Sequence, residues 1–109
     1  MKFLTTSTAI ISLNEIYDFL KRRWTKREIA ILKNDIKKFK QTIRDGIIKH
    51  QSVENFPQIK VALIGKKQVK LFYEIKSEEV VVIKLFFHCK QDPRIIKNII
   101  DYPFLIIIL

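Results

Sequence analysis

The chain has 109 residues, 48% hydrophobic and 29% charged, which is long enough for one folded domain and too apolar for wholesale disorder. Its 21 Lys and Arg against 11 Asp and Glu give a formal net charge of +10, which favours a polyanionic partner such as nucleic acid, an acidic protein segment or an anionic membrane surface. The single cysteine, Cys89, excludes an internal disulfide and any multi-cysteine zinc site.

The N-terminal residues predict a short strand followed by a helix. The uncharged run 3–14 resembles a signal peptide in composition, but it has no A-x-A-like cleavage site and Glu15 follows it directly. Lys2–Thr6 favours a strand, after which Ser7 or Thr8 can serve as the helix N-cap. The apolar residues on one face of this helix are Ala9, Leu13, Ile16, Tyr17, Leu20 and Trp24. No stretch is long enough to span a membrane, and we expect a cytoplasmic protein.

A second helix has the strongest start signal in the chain. Thr25 and Glu28 match a capping box, and Trp24 with Ile29 matches a hydrophobic staple. The apolar stripe of this helix comprises Ile29, Leu32, Ile36, Phe39, Ile43 and Ile47. Gly46 either ends the helix or is tolerated inside it. The very short connection between the two helices predicts an antiparallel hairpin.

The next part of the chain predicts strands. His50–Gln58 is expected to be a loop. The predicted strands are Lys60–Ile64, Val69–Lys76 and Val80–Phe87, joined by turns at Gly65–Lys67 and Ser77–Glu79. The second strand alternates as if half-buried, and the third, with Lys84 as its one charge, is expected to be covered on both sides. The sequence therefore predicts an α+β fold: an N-terminal strand, an antiparallel two-helix hairpin and a three-stranded antiparallel meander, with both helices on one face of a single twisted sheet.

The C-terminal residues are harder to place. Arg94–Ile100 has helical spacing, Pro103 breaks the pattern, and Phe104–Leu109 is entirely hydrophobic. An exposed segment of this kind would promote aggregation. We expect the tail to add a strand, to pack in a groove, or to be covered by a partner.

Three local motifs resemble the RelE/ParE superfamily of toxins from bacterial type II toxin–antitoxin systems. Glu15–Leu20 followed by Trp24 resembles the family's "IYDYI…W" stretch, and Val69–Ile75 resembles its "LYYEI" strand. Val81–His88 with Asp92–Arg94 resembles its "VILxxFHxxxxDPxK" ending, most closely that of the ParE branch. The order of predicted elements and the basic charge resemble the same family.

The resemblance covers residues 1–97 as a toxin domain and leaves 98–109 as a hydrophobic tail of unknown role. It implies a growth-inhibiting toxin of the plasmid-stabilization kind, silenced by an antitoxin. From the net charge of +10 we expect that antitoxin to be acidic, and we expect a homodimer or a hetero-oligomer with it. ParE-like members are described as binding DNA gyrase without nuclease chemistry. RelE-like members are described as metal-independent endonucleases that cut mRNA on the ribosome. An inactive member that serves only as a binding scaffold is a third alternative. None of these implies a cofactor.

A RelE-type mechanism would need cations around the scissile phosphate and a general base. The residues that could supply them are Lys60, Lys66, Lys67, Lys70 and His88. The predicted strand region contains no Arg, and the first Arg after it is Arg94. Because Arg binds phosphate better than Lys does, the absence of Arg from these strands favours the ParE-like alternative. A solvated lysine-rich turn and a half-buried histidine would explain the same residues. Tyr73 is predicted to pack in the core, and Tyr102 lies near the position of a RelE-type C-terminal tyrosine.

The second helix also predicts a basic ridge beside its apolar stripe. Its members are Lys33, Lys37, Lys40 and Arg44, each one residue after a stripe position. Together with Arg94 they are the predicted partner-binding residues, suited to an acidic antitoxin or to RNA. The same spacing is typical of an ordinary solvated helix face.

Overall fold

A computed structural model describes residues 1–23, 26–47 and 50–88. The elements are β1 (Lys2–Thr5), α1 (Ser7–Arg23), α2 (Lys26–Arg44), β2 (Gln51–Val53), β3 (Phe56–Ile64), β4 (Val69–Ser77) and β5 (Val80–His88). Two helices lie alongside one sheet, so the predicted α+β fold is confirmed.

The sheet is mixed and has the strand order β1-β5-β4-β3-β2. Strands β3, β4 and β5 form the predicted antiparallel meander, and β1 pairs with β5 in parallel. The prediction of a loop at His50–Gln58 was wrong, because Gln51–Val53 pairs with β3 in a further hairpin and β3 already begins at Phe56. Asn55 closes this hairpin at a φ of 68°, a left-handed conformation that asparagine tolerates well.

Helix α1 begins one residue earlier than its predicted caps imply. The N-cap is Thr6, whose Oγ1 accepts a hydrogen bond from the Ala9 N–H at 3.0 Å. The same hydroxyl donates to the carbonyl oxygen of Lys84 at 3.1 Å. Thr6 therefore joins the start of α1 to β5, and it is buried, whereas Ser7 and Thr8 are only partly so.

Helix α2 ends at Arg44, and Gly46 marks that end. Gly46 has a φ of +78°, its N–H donates to the Ile43 carbonyl, and the Ile47 N–H donates to the Thr42 carbonyl. This pair of bonds is a Schellman motif, for which a left-handed glycine is the usual residue. Ile47 therefore lies beyond the helix and is exposed, although it was predicted to belong to the buried stripe. The predicted capping residues Trp24 and Thr25 lie outside the described residues.

The main core lies between the helices and one face of the sheet, here called the helix face. The helices contribute the buried residues Ala9, Ile16, Leu20, Leu32, Phe39 and Ile43. The strands contribute Ala62, Ile64, Val69, Leu71, Tyr73, Val81, Ile83 and Phe86. Both predicted helical stripes are thus confirmed over most of their length, and so is the packing of Tyr73.

The opposite side of the sheet, here called the second face, carries a smaller apolar cluster. Its buried members are Ile59, Phe72, Leu85 and Phe87. Every residue from Val81 to His88 is buried, which confirms that β5 is covered on both sides. The prediction that β4 is only half-buried was wrong, because Phe72 and Glu74, which point away from the helices, are buried as well.

Candidate functional site

The predicted basic ridge lies along the side of α2 that faces α1 and β1. Lys40 Nζ and Arg44 Cζ lie 5.7 Å and 5.0 Å from the centroid of the Phe3 ring. Lys33 Nζ lies 5.4 Å from the centroid of the Tyr17 ring. Each such contact between a cation and an aromatic ring contributes about 0.5–1 kcal/mol at an exposed site. These contacts hold three of the four ridge cations in one line, with Lys37 exposed between them.

The ridge lies beside β1. Among the described strands, β1 has a neighbour on one side only, namely β5. Phe3 connects the edge to the ridge, because its ring packs edge-on against Phe39 at 6.4 Å while Lys40 and Arg44 lie over it. An extended segment can add to such an edge through its backbone, and acidic side chains on it would meet the ridge. The four ridge residues, Phe3 and the side of β1 that faces away from β5 are called the basic edge below.

The structure distributes the nuclease candidates over different surfaces. Lys60 pairs with Tyr73 across the β3–β4 ladder, on the helix face, and its Nζ donates to the His50 carbonyl at 3.5 Å. Lys70 pairs with Phe87, a member of the second-face cluster, and is exposed there. Lys60 and Lys70 therefore lie on opposite sides of the sheet.

The remaining candidates do not join either lysine. Lys66 and Lys67 are exposed in the β3–β4 turn, both with left-handed backbone conformations. His88 pairs with Val69 on the helix face, is 3% exposed, and has its ring 5.1 Å from that of Phe19 on α1. A phosphodiester could not contact all five side chains at once. Arg94 and Tyr102 lie outside the described residues.

A second histidine has a more defined setting than the sequence indicated. His50 Nδ1 lies 2.5 Å from the hydroxyl of Tyr73, and both rings pack against Phe39. Burial, and next the charge of Lys60, lower the pKa of His50 below its ordinary value of 6.5. Burial raises the pKa of Tyr73 to about 12. At neutral pH the phenol therefore keeps its proton and the imidazole is neutral, and the two groups share one hydrogen bond whose direction depends on the imidazole tautomer.

This histidine also borders a shallow cleft of about 260 Å³ between α2 and β3. The cleft is lined in part by Lys38, Thr42 and Asp35, whose carboxylate accepts the Gly65 N–H at 2.9 Å. The main role of His50 in this arrangement is to satisfy the hydroxyl of a fully buried tyrosine. The sequence predicted only that His50 begins a loop, because Tyr73, its hydrogen-bond partner, is 23 residues away in the chain.

Two charged residues on the second face were not predicted as a pair. Lys84 is 3% exposed, and its Nζ lies 3.4 Å from Glu74 Oε1. The other carboxylate oxygen of Glu74 forms an ion pair with Lys76, which is exposed. The sequence did carry one indication of this ion pair, because Lys84 is the one charge within an apolar strand. A buried ammonium requires an oppositely charged or hydrogen-bonding partner. That partner is on β4, which periodicity alone could not identify.

Within the described ranges, no group of three or more His, Cys, Asp or Glu side chains is placed to hold a metal ion. No helix in the part of the chain that the structure describes is long and apolar enough to cross a membrane. Comparisons with protein-family models, with curated proteins and with solved structures find no match to this chain. The candidate site therefore depends on the geometry of these residues, and at the basic edge a row of cations lies beside β1, which has one neighbour among the described strands.

We predict that the ion pair of Glu74 and Lys84 can be removed together but not singly. Glu74→Leu leaves a buried ammonium without its carboxylate and should lower the free energy of unfolding by about 3 kcal/mol. The double variant Glu74→Leu/Lys84→Met should recover most of that loss. Urea denaturation measures both, with Lys76→Ala as the control, expected to cost less than about 1 kcal/mol because Lys76 is exposed. Equal destabilisation by the single and double variants would contradict the pairing.

We also predict that His50 makes the protein less stable in acid. Its pKa is lower in the folded protein than in the unfolded chain, so the unfolded chain takes up the proton first as the pH falls below about 6.5. The contribution of neutral His50 to the free energy of unfolding is therefore present above that pH and is lost as the pH falls below it. Between about pH 7.5 and about pH 5.5, His50→Gln should therefore lose less stability than the wild type does. Parallel losses in thermal denaturation of the two proteins would show that His50 does not contribute.

Proposed function

We propose that this protein is the toxin component of a bacterial type II toxin–antitoxin system, of the ParE-like kind. It would inhibit growth by binding a protein target such as DNA gyrase, and a cognate antitoxin would neutralise it. Two features support the proposal: the three motifs that resemble the RelE/ParE superfamily, and an element order of strand, two helices and antiparallel strands that agrees with what this resemblance implies.

The distribution of the nuclease candidates favours protein binding over RNA cleavage. General acid–base catalysis requires its groups within hydrogen-bond reach of one substrate. Lys60 and Lys70 lie on opposite faces of the sheet, and His88 is buried against α1. This separation is the observation on which the choice of the ParE-like mechanism rests.

The basic edge is the surface that we assign to the antitoxin. An acidic segment that adds to β1 as a strand would gain backbone hydrogen bonds from the edge and ion pairs from Lys37 and Arg44, which are exposed. The net charge of +10 would speed the encounter with an acidic partner. Arg94 remains a predicted contributor outside the described residues.

Two reactions test the mechanism. The purified protein should inhibit supercoiling by DNA gyrase, and in a reconstituted translation reaction it should leave mRNA uncut. The variant Lys66→Glu/Lys67→Glu should inhibit gyrase as the wild type does, because the proposed mechanism uses no turn lysine. Discrete cuts at ribosome-bound codons, abolished by this variant, would instead establish the RelE-type nuclease. Unaffected gyrase, intact mRNA and normal growth on expression would leave only a binding scaffold.

The antitoxin surface has a separate test with a defined probe, a fluorescein-labelled peptide of alternating Glu and Val residues. The variant Lys37→Glu/Arg44→Glu should weaken its binding roughly tenfold in fluorescence anisotropy, because two attractive contacts become repulsive. Lys66→Glu/Lys67→Glu changes the net charge by the same amount at a remote turn and should bind like the wild type at moderate salt. Equal weakening by both pairs would mean that the peptide senses net charge and not the basic edge.

A further inference from the structure

The cleft between α2 and β3 has room for a small molecule, and the proposed function does not use it. Its volume is about 260 Å³, below the range of about 300–1,000 Å³ that is typical of pockets for drug-sized ligands. All the residues that line it lie within the described ranges. At 3.6 residues per turn, the residues that α2 contributes to the cleft lie on the side of the helix nearly opposite the basic ridge. The cleft is therefore a separate site, suited to a ligand smaller than a drug.

Two opposite charges line the cleft without neutralising each other. Asp35 and Lys38 are three residues apart on α2, a spacing at which side chains on a helix are neighbours. Neither forms an ion pair within the part of the chain that the structure describes. Asp35 Oδ2 instead accepts the Gly65 N–H at 2.9 Å, which directs the carboxylate toward the β3–β4 turn, while Lys38 is exposed. The cleft therefore has both an anion and a cation at its rim.

The rest of the cleft supplies hydrocarbon and one more acceptor. Phe39, Ala62 and Ile64 line it, are buried and belong to the main core, and are called the apolar floor below. Thr42 also lines the cleft and donates its hydroxyl hydrogen to the Lys38 carbonyl at 2.9 Å. Its oxygen can therefore only accept further hydrogen bonds. One small volume thus holds two acceptors, one cation and an apolar surface.

We propose that this cleft binds a free α-amino acid with an apolar side chain. The ammonium of the ligand donates to Asp35 and Thr42, and its carboxylate pairs with Lys38. Its side chain packs on the apolar floor and leaves water. A zwitterion has no net charge, so the protein's net charge of +10 does not oppose its binding. The proposal rests on the cleft alone and is separate from toxin activity.

Both charges of the ligand are needed. A carboxylate without an ammonium would lie near Asp35 with no donor between the two anions. A cation without a carboxylate would be repelled by Lys38 and by the net charge of the protein. A ligand with both groups on one carbon supplies a partner for each charge at the rim.

The experiment titrates the isotope-labelled full chain with free L-leucine and follows the backbone amide signals. The Gly65 N–H reports on the site because it is bonded to the Asp35 carboxylate. Gly46, the other glycine of the chain, lies beyond the C-terminal end of α2 and serves as the internal control. The Gly65 signal should shift saturably, with a dissociation constant on the order of 1 mM because the ligand is small. The Gly46 signal should not shift.

Two cleft variants and a matched control test the assigned contacts. Lys38→Gln removes the cation and should weaken leucine binding about threefold. Asp35→Asn keeps an oxygen for the Gly65 N–H but loses the charge, and it should weaken binding about tenfold. Lys37→Gln makes the same charge change one residue away, outside the cleft, and should bind leucine as the wild type does. If Asp35→Asn does not fold, the comparison of the two lysine variants still gives the answer.

Each outcome decides the proposal. A saturable shift of Gly65 that weakens in the cleft variants and not in Lys37→Gln supports it. The absence of a shift at Gly65, or equal weakening by Lys37→Gln and Lys38→Gln, would overturn it. Isocaproate is leucine without its ammonium, and isoamylamine is leucine without its carboxylate; both should shift Gly65 much less than leucine does. An equal response to either compound would mean that one charge is enough, which overturns the proposal as well.

Discussion

The fold depends on how the backbone N–H and C=O groups of β5 find hydrogen-bond partners beyond the end of β1. The parallel ladder stops at the pair Thr5–Ile83, so the Lys84 carbonyl and the Phe86 N–H face α1 without a strand beside them. Thr6 donates to that carbonyl, and the Phe86 N–H donates to the hydroxyl of Ser12 at 3.1 Å. A buried backbone group left unpaired costs about 1–3 kcal/mol. The hydroxyls of Thr6, at the N-cap of α1, and of Ser12, within α1, therefore take the place of a neighbouring strand.

These two side-chain hydrogen bonds constrain the positions of both helices. Because Thr6 and Ser12 lie within two turns of each other, both bonds form only if α1 has one rotation and one height on the sheet. That placement directs Ile16 and Leu20 into the core and positions Tyr17 beside α2. The ridge cations of α2 then meet aromatic rings of α1 and β1. The geometry of the basic edge thus follows from bonds made on the far side of α1.

The alternation of strand side chains decides what chemistry the sheet can offer. Neighbouring residues of a strand point to opposite faces, so a run of lysines close in sequence is divided between them. Lys60 and Lys70 are separated in this way, and His88 is enclosed by α1. The ionisable groups that do meet in the interior, Glu74 with Lys84 and His50 with Tyr73, are placed by cross-strand and loop contacts. They satisfy one another in the interior, whereas Lys37 and Arg44 of the ridge are exposed beside β1.

The sequence by itself determined the elements whose signals are local. The apolar stripes of α1 and α2, the β3–β5 meander and the basic ridge follow from periodicity over a few turns or strands. Gly46 was a candidate for the end of α2, but only the hydrogen bonds showed that it ends the helix and does not lie inside it. Tertiary structure alone decided the parallel pairing of β1 with β5, the β2 strand, the choice of Thr6 as N-cap and the partners of Lys84 and Tyr73. Most of these features join residues that are distant in the chain. The others depend on a backbone group that such a pairing leaves without a strand partner, so local sequence patterns could not predict them.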